Sequence, residues 1–282
     1  MNVAFDPRPQ ETPSQSTLRF ARSPDGETYL AEQLLRFPYH ITRVHRAVAR
    51  AERADLCLQA LGGGLVEGDN IRLAVALGPA ARARLTTQSS NKIHSMRGGR
   101  AVQHASLSVA AGGWLEYLPR PLILFPDSHS VNRTRVMLEP DAGAVVVDAF
   151  YPYDPSRNGR APLRFTNTVE VHGADGRLLV RDALAVTADD FRRSRPLREL
   201  PCQTSVFLLG QAGENPVLRG YRYHTEHAEL ACSRLPNDAG WCVRGFVSGA
   251  DALRRVVDDL LRKIRPVARL EVDDRPTSEL QT

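Results

Sequence analysis

Lysine is almost missing from this chain. Two of its 37 basic residues, Lys92 and Lys263, are lysine and the rest are arginine. Its positive surface is therefore made of guanidinium groups, which suit carboxylate, phosphate and stacking contacts. Cysteine is sparse too: Cys57, Cys202, Cys232 and Cys242 have neither CxxC spacing nor the density of a disulfide framework. No apolar run approaches the length of a bilayer-spanning helix. Catalytic signatures are absent as well, with no GxSxG elbow, no HExxH and no P-loop. Aromatic residues make up 6% of the chain, and no basic stripe is interleaved with them as single-stranded nucleic acid requires.

What is present points to a folded β protein. Hydrophobic residues at 42% and charged residues at 24% exclude wholesale disorder. A chain of 282 residues buries a core without metal or disulfide staples. The pI near 9.3 raises nucleic acid or an acidic protein as a partner class. The arginines are scattered along alternating segments, as in Arg82/Arg84 and Arg133/Arg135, which favours the acidic protein. Met1–Ser16 has three prolines and neither a basic n-region nor an apolar h-region. It reads as a disordered lead-in rather than a secretion leader, and the expected compartment is the cytoplasm. Residues 17–265 read as one β-rich domain and 266–282 as a polar, frayed tail.

Period-two alternation dominates that domain, for example over Ile71–Leu77 and Arg82–Gln88, the pattern of half-buried strands. A degenerate repeat lies on top of it. Leu73–Leu77 runs through Gly78-Pro79 into a strand from Ala81, and Leu107–Ala111 through Gly112-Gly113 into Trp114–Leu118. Val136–Leu138 runs through Pro140–Gly143 into Ala144–Phe150, and Val169–Val171 through Gly173–Gly176 into Arg177–Val186. Strand, glycine-containing turn and strand recur about every thirty residues, the period of a stacked solenoid. A sandwich of ordinary hairpins fits the same pattern. Helix is predicted over Ala250–Ile264, where Leu253, Val256, Val257, Leu260, Leu261 and Ile264 form one apolar stripe, and more briefly over Ala188–Arg195. The expected fold is mainly β: a β-helical, solenoid-like stack of many short strands with about two α-helices.

Three features carry possible chemistry. The Gly62-Gly63-Gly64 run with Gly68 and Asp69 lacks the Lys-Ser/Thr of a phosphate loop, and strand follows it. These glycines mark a sharp turn or a close backbone approach, while Asp69 either caps the turn or offers a carboxylate to a channel or partner. His224 and His227 are close-spaced, and Cys232 and Cys242 flank a turn at 236–240 across which a hairpin could bring them face to face, but a zinc site needs stronger spacing. Thr86–Lys92 places seven polar residues at the end of an apolar strand. Buried polar groups need partners or water, so this run lies on an exposed edge or lines a wet interior. Spacing does not separate the two.

Leu61–Leu73 (LGGGLVEGDNIRL), Leu85–Ile93 (LTTQSSNKI) and Trp114–Pro126 (WLEYLPRPLILFP) resemble, in order and spacing, three blocks of the urease accessory protein UreD (UreH) family. Arg133–Val136 and Asp175–Asp182 are similar to its later strands, so the likeness runs from about Thr17 to Ile264. One departure is Tyr151–Pro162, where the family commonly has a GR-x-GxGE-type segment and this chain has no glutamate. The resemblance implies a non-enzymatic scaffold with a β-helical fold. It would bind a UreF-type protein, through it a UreG-type GTPase, and apo-urease, within a dimer of the heteromeric complex. No tightly bound cofactor is implied; Ni²⁺ is in transit, along an internal water-filled passage, toward the urease active site. Such a passage holds a dication weakly, so carboxylates, hydroxyls and amides suit it better than a Cys/His cage. Asp69, Thr86, Thr87, Gln88 and Glu116 occupy family-matching positions and are the candidate lining; Gly62, Gly63, Gly64 and Gly68 shape the backbone. No membrane or nucleic-acid contact is implied. The rival readings are a cytosolic carbohydrate-active β-helix enzyme and a basic nucleic-acid-binding protein.

Overall fold

Alternating sequence becomes solenoid here because its turns are corners that stack, not hairpins that fold back. A computed structural model describes residues 14–41, 44–46, 52–210 and 218–264. Its strands are β1 (Ser14–Arg22), β2 (Thr28–Leu34), β3 (Tyr39–His40), β4 (Val44–Arg46) and β5 (Arg53–Ala60). The coil proper follows with β6 (Asn70–Leu77), β7 (Arg82–Thr87), β8 (Lys92–Ile93), β9 (Ala101–Val109), β10 (Trp114–Leu118), β11 (Leu122–Leu124), β12 (His129–Leu138) and β13 (Gly143–Pro152). Then come β14 (Arg164–Gly173), β15 (Leu178–Thr187), α1 (Ala188–Arg193), α2 (Arg195–Glu199), β16 (Cys202–Gly210), β17 (Arg222–Thr225), β18 (Ala228–Arg234), β19 (Gly240–Val247) and α3 (Ala250–Ile264).

Each turn of the coil lays one strand in each of two sheets. β1, β6, β9, β12 and β14 run parallel in a seven-stranded sheet of order β15-β14-β12-β9-β6-β1-β2. β5, β7, β10 and β13 run parallel in the facing sheet, continued antiparallel by β16, β19, β18 and β17. The short β8, β11 and the end of β13 stack as a third side. The corners explain the arrangement. Ala80, Gly112 and Asp141 each take a left-handed backbone, at φ 54°, 67° and 58°, and they stack through Ala80 N–H to Ala111 O and Gly112 N–H to Pro140 O. Of the four turns read from sequence, three are such corners. The fourth, Gly173–Gly176, is a true hairpin joining β14 to β15 antiparallel, and it ends the parallel stack.

The solenoid expectation is therefore met, with two adjustments. Strand β1 begins at Ser14, which pairs with Ile71, so Ser14–Ser16 belong to the sheet and not to the lead-in; residues 1–13 and 265–282 lie outside the described residues. The short helix expected over Ala188–Arg195 is two helices broken at Ser194, whose side chain caps the second ahead of Pro196. Helix α3 spans the expected residues. Its stripe packs on the outer face of the larger sheet, with Val256 and Leu260 against a cluster containing Val206, Leu208 and Val243. A second apolar cluster, with Leu18, Leu73, Leu107, Val136 and Phe207, fills one end of the interior; a third, with Ile93, Phe150 and Phe165, fills the other.

Candidate functional site: a polar row inside the solenoid

Between those two interior clusters the inward-facing positions turn polar. Odd-numbered residues of β9 and β14 and even-numbered residues of β12 point inward, and strand register stacks Gln103 on Asn132 and Asn132 on Asn167. Asn132 Nδ2 donates to Asn167 Oδ1 at 2.7 Å. Asn167 Nδ2 in turn donates to the Asp148 carboxylate across the interior, on β13. Asp148 pairs in register with Ser205 of β16, and Ser205 with Arg244 of β19. Arg244 donates through Nε to Ser205 Oγ at 2.9 Å and forms an ion pair with Asp182 of β15 at 2.7 Å. The row thus follows the stacking direction of the strands and ends where this half-exposed pair ties the two sheets together.

A cavity of about 60 Å³, lined by Tyr39, Thr87, Gln103, Tyr117, Asn132 and Asp148 among others, opens on this row. That is room for a few water molecules. Burial, reinforced by the nearby Asp182 carboxylate, pushes the Asp148 carboxyl up to about 7, so a proton is readily gained or lost there near neutrality. Burial also pushes the Tyr39 phenol up to about 12 and raises that of Tyr117. Gln103 Nε2, Gln203 Oε1 and Ser130 Oγ are buried with no hydrogen-bond partner among the described residues. Of the three, only Gln103 lines the cavity; an unsatisfied buried amide N–H is costly, and the cavity gives it room for a water acceptor. Its donors are a carboxylate, amide oxygens and hydroxyls, and Arg120 lines the cavity as well. Among the described residues no three His, Cys, Asp or Glu side chains converge in a metal cage.

One of the five expected lining residues reaches this interior. Thr87 lines the cavity, its Oγ1 accepting the Arg120 N–H at 2.8 Å. Its strand β7 lies between β5 and β10, so the polar run beginning at Thr86 does not follow a sheet edge. Thr86 shares the outward phase of Arg84 and lines an adjoining groove with Leu118 and the α3 residues Leu253 and Val257, a groove that shares Thr87 and Arg120 with the cavity. Gln88 is exposed at the corner beyond β7. Asp69 caps its own turn, Oδ2 accepting the Val66 N–H at 2.8 Å. Glu116 is buried on the outer face, ion-paired to Arg84 at 2.6 Å and accepting from Trp114 Nε1 at 3.3 Å. Asp69, Thr86, Gln88 and Glu116 are therefore not brought together in the interior.

The glycines build the loop ahead of β6. Gly64 has φ 129°, and a Cβ there would lie 2.4 Å from the Lys92 carbonyl oxygen; Gly62 and Gly68 also take positive φ, and the Gly63 carbonyl lies 2.8 Å from His94 Nε2. The Cys232–Cys242 hairpin forms, but register pairs Cys232 with Val243 and Ser233 with Cys242. Adjacent positions point to opposite faces, so the two thiols do not face each other. His224 sits opposite Glu229 in the neighbouring hairpin.

Sequence reasoning missed Asp148, Asn132, Asn167, Gln103, Asp182 and Arg244. Their signal is a polar residue at the inward phase of an apolar strand, as in Val145-Val-Val-Asp148.

A family model described as UreD urease accessory protein matches residues 13–277. Urease accessory protein UreD 1 of Methylorubrum extorquens (strain PA1) is 34% identical, the match covering 93% of this chain and 96% of that protein. Urease accessory protein UreD 1 of Pseudomonas syringae pv. syringae (strain B728a) is 29% identical over 91% of this chain and 93% of its own. Urease accessory protein UreD of Haloarcula marismortui is 31% identical over 92% and 87%.

Proposed function

This chain belongs to the UreD family of urease accessory proteins, and from that premise we propose that it is a non-enzymatic scaffold that helps deliver Ni²⁺ to apo-urease through its own interior. Membership in this accessory family implies a role in urease maturation. The finer reading is that the chain works in the cytoplasm, binds a UreF-type protein and through it a UreG-type protein, and presents apo-urease with nickel that it does not retain. Among the described residues no helix is long and apolar enough to cross a membrane.

The observation that carries the proposal is the polar row. A solenoid interior is most stable when close-packed and apolar, and burying Gln103, Asn132, Asn167 and Asp148 side by side costs stability that hydrogen bonds and water only partly offset, which an apolar row would not incur. Oxygen donors bind Ni²⁺ more weakly than imidazole or thiolate does, which suits a group that must let its cargo go. A carboxyl that titrates near 7 can exchange a proton for a passing dication. The Asp182–Arg244 pair places an opposing cation at one end of the row, so passage there requires the pair to part.

The test is a deletion strain. Apo-urease should accumulate at normal levels without nickel, and the gene supplied in trans should restore activity. Normal nickel loading of urease in the deletion strain sinks the proposal. Tagged wild-type chain should also co-purify with the UreF-type and UreG-type proteins and with urease subunits. Uronate-lyase turnover by the purified chain would instead revive the carbohydrate-enzyme reading.

A further inference from the structure

The outer face of the seven-stranded sheet repeats one arrangement twice. Register aligns Arg72 of β6, His104 of β9 and Arg133 of β12 in one lateral row. A second row sets His129 of β12 beside Arg164 of β14, with Arg100, the residue before β9, on its other side. All four arginines are exposed, and none has an ion-pair partner among the described residues. Both imidazoles are held below the ordinary histidine range, by partial burial first and by their flanking arginines next, so each row keeps its charge on the guanidiniums. Between the rows lie the half-buried Val102 and Val131, paired with one another.

The facing sheet is different, since α3 covers its outer surface with a buried apolar seam. The arginine rows have no such cover among the described residues. Strands in a sheet lie about 4.8 Å apart and rise about 3.3 Å per residue. Arg72 and Arg133 are therefore roughly 10 Å apart across the strands, and the two rows are separated by roughly 13 Å along them. An apolar strip flanked by unpaired cations is the anatomy of a protein interface with a charged rim. Nucleic acid held single-stranded needs stacking rings between the cations, and this strip has two valines.

We propose that this sheet face docks an acidic surface of a partner protein, its carboxylates seated on the Arg72–Arg133 and Arg100–Arg164 rows and its apolar centre on Val102 and Val131. This surface is separate from the interior row and stands whether or not nickel passes through the solenoid.

The experiment measures binding of a labelled glutamate-rich helical peptide, with a leucine at its centre, to the full chain by fluorescence anisotropy. A duplex DNA of equal net charge is the competitor probe. The peptide should bind at low ionic strength and weaken as salt rises. Arg72→Glu with Arg133→Glu, or Arg100→Glu with Arg164→Glu, should weaken it by about tenfold or more. Reversing the exposed Arg177, in the turn between β14 and β15, and Arg219, ahead of β17, neither of which belongs to either row, should change it by less than about twofold. In the Arg72/Arg133 variant the His104 pKa should rise, seen by NMR titration, which shows that the reversal acted at the row. All four sites are exposed, so thermal unfolding should stay cooperative at an unchanged midpoint. The proposal is overturned if the peptide fails to bind at low salt or if the Arg177/Arg219 control weakens it equally. It is also overturned if the DNA binds more tightly than the peptide and is lost with the same row substitutions.

Discussion

Two layers of the same strands, four residues apart, have opposite interiors. Val75, Leu107, Val136 and Val171 stack in one register row, all at 1% exposure or less. Gln103, Asn132 and Asn167 stack in the other, facing Asp148. Backbone, corners and strand pairing are alike in both, so the difference is in side-chain chemistry alone. A fold that closes dry at one layer and stays polar at another carries a polar row that its own packing does not require.

Substitutions that exchange the two chemistries separate the layers most sharply. Val136→Asn puts an unpaired amide into the dry layer and should destabilise the chain by about 3 kcal/mol or more, read as a lowered urea midpoint. Asp148→Asn keeps the shape and removes the titration. Wild-type Asp148 moves from 3.8 to about 7 on folding. Between those values the folded chain holds a proton that the unfolded chain has released. Its stabilisation is complete below about pH 4 and fades as pH rises through 7. The asparagine variant should therefore lose that pH dependence and gain on the order of a few kcal/mol over wild type at pH 8. Equal pH profiles for the two would mean that Asp148 is neither dry nor coupled.

Smaller effects refine the contrast. Asn132→Val removes one partner of Asn167 in a layer that already borders a cavity, and should cost only about 1 kcal/mol. A loss as large as that of Val136→Asn would show that both layers are packed alike. Asp182→Asn breaks a half-exposed ion pair, for which the expected cost is under about 1 kcal/mol. Its clearer readout is a lower Asp148 pKa, since the Asp182 carboxylate is one of the groups raising it.

Strand alternation, the thirty-residue period and the α3 stripe made the architecture legible before any coordinates, because each is a local property of the chain. Whether a glycine turn is a corner or a hairpin was not: Gly112 and Gly176 both have positive φ, and only stacking on the next corner tells them apart. The polar row was harder still. Asp148 sits in a run that reads as continuous core, and Asn132 meets Asn167 only through a register that sequence does not print. Glu116 misled for the converse reason. It matched the family block, but it shares its phase with Trp114 and Leu118 on the outer face and not with the inward Leu115 and Tyr117. Thr87 lines the interior cavity and Thr86 does not, because one residue along a strand exchanges inside for outside.

The most direct test of the passage puts the Asp148→Asn chain into the complete maturation complex and counts nickel per urease active site at limiting Ni²⁺. The account predicts a complex that assembles with all its partners and urease that receives about tenfold less nickel or worse, because a neutral amide no longer attracts the dication into the row. Full nickel loading by an assembled Asp148→Asn complex would contradict it.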